Sequence, residues 1–132
     1  MKTAGTDADV AGAVKREALI TAEMLQALIR SRRAHLDDFL DGDGPYWISV
    51  GLFIDGENGV DSDLMRVMEF ADESIETSRH ILGMMIERGL VQQFTGADGG
   101  PAYRLTAQYA IRFGRYLAHH WTHVARACAR NP

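Results

Sequence analysis

The stretch from 60 to 106 constrains this chain most. Leu64, Val67, Met68 and Ala71 recur at helical spacing, and after a break at 72–74 the pattern resumes with Ile75, Ser78, Leu82, Met85 and Ile86. Apolar residues three and four apart line one face of an α-helix, so two short helices are expected. Asp61 or Ser62 is expected to cap the first, and Asp72 or Ser74 the second, because short polar side chains accept from the orphan N–H groups of a helix start. Gly89 suits the left-handed position that ends the second helix. Leu90 to Thr95 reads as a strand. Gly96-Ala97-Asp98-Gly99-Gly100-Pro101 reads as the tip joining it to a second strand, Ala102 to Leu105. Thr106 then stands where it can cap a final helix.

That order is how a winged helix-turn-helix reads in sequence, and such units usually dock on duplex DNA. The flanks are helical too. From Asp9 to Leu36, Val10, Val14, Ala18, Thr21/Ala22, Leu25, Leu28 and Ile29 form a stripe on a helix roughly 40 Å long. So long a helix is expected to offer part of its stripe to a second chain. Asp41-Gly42-Asp43-Gly44-Pro45 breaks the pattern, with Pro45 suited to a first helical position. Tyr46 to Ile54 is short and apolar, a central buried helix or a buried strand. Asp55-Gly56-Glu57-Asn58-Gly59 is expected to turn. In the last segment Ala110, Phe113, Tyr116/Leu117, His120/Trp121, Val124 and Ala127/Cys128 align on one face. The expected organisation is a single domain over 1–132, with an N-terminal helix at 9–40, a winged helix-turn-helix at 45–106 and a C-terminal helix at 107–130. The fold class is mainly α with a small two-stranded β-wing.

Charge is distributed unevenly. Residues 37–76 carry twelve acids against Arg66 alone, whereas 77–132 carry seven arginines against Glu87 and Asp98, within a net charge of −4. Such asymmetry suggests separate acidic and basic faces. No apolar run approaches the roughly 18–20 residues of a membrane span, and the first nine residues lack the apolar core of a secretory signal. One cysteine, Cys128, excludes an internal disulfide framework. A cytoplasmic protein with no membrane contact is expected.

The helix-turn-helix and hairpin resemble those of the MarR-type winged-helix transcriptional regulators. The matching pieces are Ile75-Glu76-Thr77-Ser78-Arg79, Ile86-Glu87-Arg88-Gly89-Leu90-Val91 and Arg104-Leu105-Thr106, within about 45–60 residues. The resemblance implies a homodimer formed by the terminal helices, each protomer presenting a recognition helix to the major groove and a wing to the minor groove. Two departures stand out. The tip 96–100 carries no Lys or Arg, where such wings usually do, and Asp61, Asp63, Glu69, Asp72, Glu73 and Glu76 would repel phosphates if they line the groove.

On this reading the DNA-binding candidates are Glu76, Thr77, Arg79, His80 and Met84 on the recognition helix, with Arg88 and Arg104 near the base of the wing. Arg79 can reach guanine, Glu76 can accept from cytosine N4, and Thr77 and His80 suit phosphates or base edges. Ordinary surface helices also expose such residues. The competing expectation is a winged-helix interaction module whose acidic face binds a basic protein. The arginines of the last helix are expected to pair with the acidic 37–76 segment. Cys128 is expected to be packed. His119 and His123 share a helix face, but no acid lies between 107 and 132 to complete a zinc site. No nucleophile sits in a catalytic motif, so neither an enzyme nor a metal or other cofactor is expected.

Overall fold

In the computed structural model, the described residues are 7–36 and 43–130, less the side chains of 7–9, 33–35, 123, 124 and 127. The elements run α1 (Asp7–His35), α2 (Asp43–Glu57), α3 (Leu64–Ala71), α4 (Ile75–Glu87), β1 (Val91–Thr95), β2 (Pro101–Leu105) and α5 (Ala107–Arg130). The two strands pair antiparallel, from Val91 opposite Leu105 to Thr95 opposite Pro101. Pro101 therefore belongs to the second strand, not to the tip.

The segment Tyr46 to Ile54 is helical and longer than its apolar run. It begins at Asp43 and continues through Asp55 to Glu57, so the expected turn is confined to Asn58 and Gly59. Asp55 stays helical because it stands one turn beyond Leu52 and two beyond Ile48, on the buried face. Gly51 lets α3 approach: a Cβ there would run into the Phe70 ring. The helix end at 40 lies outside the described residues.

The core gathers Ile48 and Leu52 of α2, Val67 of α3, Leu82 and Met85 of α4, Val91 of β1, and Tyr109, Phe113 and Tyr116 of α5. Tyr109, Phe113 and Tyr116 recur at the three-to-four spacing of one helical face; Phe113 packs edge-on or tilted against Tyr46, Phe53, Tyr109 and Tyr116, and Tyr116 edge-on against Tyr46. The hydroxyls of these tyrosines are not stranded. Tyr46 and Tyr116 are bonded at 3.0 Å, Tyr109 meets Ser49 at 2.8 Å, and Tyr116 also donates to the Leu28 carbonyl of α1 at 3.1 Å. Burial, then the bond to Tyr46, pushes the Tyr116 phenol well above its ordinary value.

The α1 stripe divides into two. Ile20, Met24, Ala27, Leu28 and Ser31 are half-buried, consistent with a face turned to α5, whereas Val10, Val14, Leu25 and Ile29 are exposed, Ile29 by 63%. The α1–α5 pair is tied by Ser31 to His120 Nε2 at 2.6 Å and by Arg130 to Glu23 at 2.7 Å. His120 is buried, but Trp121 beside it is 72% exposed. Cys128 is exposed rather than packed within the chain. Arg130 pairs with Glu23 of α1 rather than with the acidic 37–76 segment, within which Asp55 pairs with Arg66 and Asp43 with Arg32 of α1.

Candidate nucleic-acid interface

The α3–α4 unit is closed at both ends by local chemistry. Asp63, not Asp61 or Ser62, caps α3, accepting from Arg66 N at 3.0 Å. Ser62 is otherwise engaged. Its backbone bridges to Tyr103 of β2, whose N–H donates to the Ser62 carbonyl at 2.8 Å, and its buried hydroxyl donates to Asp55 at 2.7 Å. At the far end Asp72 sits left-handed at φ 53°, a conformation that Asp and Asn tolerate better than most residues. Ser74 caps α4 through Thr77 N at 3.1 Å and also donates to the Thr77 hydroxyl.

Helix α4 ends as Gly89 requires. With Gly89 at φ 73°, Leu90 N–H reaches the Met85 carbonyl and Gly89 N–H reaches that of Ile86, at 2.9 and 3.0 Å. This is the Schellman arrangement, which satisfies carbonyls that would otherwise be orphaned. Thr106 then donates to the Gly89 carbonyl at 2.8 Å, tying the start of α5 to the end of α4.

Asp55 is the buried charge that joins these parts. Its carboxylate accepts from Arg66 Nε and Nη2 and from Ser62, each at 2.7 Å. The Arg66 guanidinium holds the Asp55 carboxyl below its ordinary value against the opposing effect of burial, with Ser62 assisting, and Asp55 in turn raises Arg66. One side chain of α2 therefore positions α3 and, through Ser62 and Tyr103, the hairpin. Its position on the buried stripe of α2 was the sequence signal for this role, and periodicity read as hydrophobicity alone passed over it.

Two other acids organise the tip. Asp61 accepts from Ala97 N at 2.8 Å and Asp98 from Gly100 N at 2.9 Å, with Gly96 N–H bonded to the Gly100 carbonyl. The placement of these carboxylates is explained by the backbone they hold.

Of the candidate contacts, Glu76, Thr77, Arg79 and His80 stand together, exposed, in the first two turns of α4. Met84 is half-buried a turn further on, and Arg88 is exposed at the C-cap. Arg104 stands on β2 rather than on α4. Its guanidinium lies 4.4 Å over the Phe94 ring, and with the Gln92 amide oxygen turned toward it Arg104 donates there at 3.1 Å. It lines a cleft with Leu52, Phe53, Gly56, Glu57 and Ala110, between α2 and α5.

With this geometry established, a crystal structure of a MarR family transcriptional regulator from Silicibacter pomeroyi DSS-3 superimposes with a TM-score of 0.56, over 98% of this chain and 84% of that chain, at 18% identity. The fold is that of a MarR-type winged helix. No protein-family model and no curated protein sequence matches the chain. In winged-helix terms α3 and α4 are the helix-turn-helix, with α4 its second helix, and β1–β2 is the wing. Among the described residues, no helix is long and apolar enough to cross a membrane, and no group of three metal-ligating side chains gathers.

Proposed function

We propose that this chain is a DNA-binding transcriptional regulator that works as a homodimer, with α4 as its reading element. The observation that carries this reading is the exposed start of α4. Glu76, Thr77, Arg79 and His80 project from a helix capped at both ends, within a fold shared with a MarR family regulator. Thr77 and His80 position the helix on phosphates, while Arg79 and Glu76 read base edges. Arg88, at the junction of α4 with the wing, adds a backbone contact. Arg104 acts instead by stiffening the wing through Phe94.

Dimerisation is supported by the outward apolar residues of the terminal helices, Val14, Leu25 and Ile29 on α1 and Trp121 on α5. A separate α1 face already meets α5, so among the described residues these side chains stay exposed, and large exposed apolar patches mark interaction sites. A twofold dimer sets two α4 helices against half-sites about one helical turn apart. Enrichment of bound duplexes from a randomised pool tests this. A two-fold symmetric motif with that spacing is expected; a pool that stays random after repeated rounds contradicts the reading.

A further inference from the structure

The winged unit carries a second surface that DNA recognition leaves unused. Residues 61–105 hold eight acids against four arginines. Two of those arginines are occupied inside the fold, Arg66 by Asp55 and Arg104 by stacking on Phe94. At the α3–α4 turn an open groove of about 440 Å³ is floored by Met65 and Met68 and rimmed by Glu69, Asp72 and Glu73. Met65 is 72% exposed, and among the described residues the three rim acids form no ion pair within the chain.

We infer that this groove docks a cationic segment of a protein partner, with an apolar anchor against the two methionines and Lys or Arg side chains on the acidic rim. Charge complementarity selects this occupant, since the rim that repels a phosphate backbone attracts a basic peptide. Methionine suits the floor because its flexible thioether adapts to an inserted apolar side chain. The groove includes Ser74, the N-cap of α4, and Glu73 beside it. A segment seated there covers the start of the recognition helix, so its binding and DNA binding exclude one another. The exclusion rests on the regulator reading above; the docking does not.

The probe is a short synthetic amphipathic peptide of Lys, Arg and Leu, titrated into the isotope-labelled protein in an amide chemical-shift experiment. Shifts are expected to concentrate at 65–76. Glu69→Gln/Asp72→Asn/Glu73→Gln together should weaken binding at least about tenfold, and Met65→Ser should weaken it severalfold. Asn suits the left-handed backbone of position 72, so these variants keep the fold, which the unchanged remainder of the spectrum verifies. Shifts spread over Glu57, Glu87 and Asp98 as strongly as over the groove would overturn the docking site. So would unchanged affinity in the acid-neutralised variant, or charge-dependent binding on which Met65→Ser has no effect. DNA binding is measured separately. Peptide binding without any DNA binding leaves the docking in place and removes the regulator reading.

Discussion

Asp55→Ala tests the reasoning about what positions the winged unit. The substitution removes three hydrogen bonds of 2.7 Å and leaves the Ser62 hydroxyl, 1% exposed, without its acceptor. A buried hydroxyl stranded in this way costs about 1–3 kcal/mol. Breaking a fully buried ion pair costs about 3–5 kcal/mol, but the Arg66 side chain is 41% exposed and regains water when released, so the upper range does not apply. The combined expectation is about 3 kcal/mol, equivalent to a fall in Tm of roughly 10 °C for a domain of this size. Thermal and urea unfolding followed by circular dichroism at pH 7 measures it. Because the folded carboxyl is held below its ordinary value, its contribution is complete above that value and is lost as pH falls through the lower, folded one. The gap between wild type and variant should therefore be full at pH 6 and shrink below about pH 4. A variant melting within about 3 °C of wild type at pH 7, or a gap that does not change with acid, refutes Asp55 as the joint of the fold.

Other outcomes follow from the same geometry. Ser74→Ala should destabilise by about 1 kcal/mol through loss of the α4 cap, read by urea unfolding. Val14→Glu/Ile29→Glu should convert a dimer to a monomer in sedimentation velocity with helix content unchanged, since both side chains are exposed within the chain; a dimer that persists places the interface elsewhere. Tyr116 keeps its proton in the folded state above the pH at which an unfolded tyrosine loses it, so stability should decline as pH rises beyond about 10. Tyr116→Phe should flatten that decline.

The order of elements from 64 to 106 was legible because each boundary rests on local chemistry. Gly89 sits left-handed, Thr106 starts α5, and the Gly-rich tip separates two strands. What escaped the sequence depends on contacts between distant residues. Asp55 reads as a turn residue until Arg66 and Ser62 are seen folded against it. Ser62 lost the capping role to Asp63 because Tyr103, forty-one positions away, took its backbone. The α1 stripe showed that apolar residues recur, but periodicity cannot say which of them meet α5 and which face outward. Arg104 was chosen for its place beside the wing, and periodicity could not show that its guanidinium stacks on Phe94. The exposed start of α4 was anticipated from spacing alone, and its contacts with DNA remain the proposal.

The central claim is tested most directly by fluorescence anisotropy of a labelled duplex titrated with the protein at about 50 and 200 mM salt, beside Arg79→Ala and Arg88→Ala. The account predicts binding at low salt that weakens steeply at the higher concentration, and that weakens further in each variant while the fold is retained. Absence of binding at the lower salt, or binding indifferent to both substitutions, contradicts α4 as the DNA-reading helix.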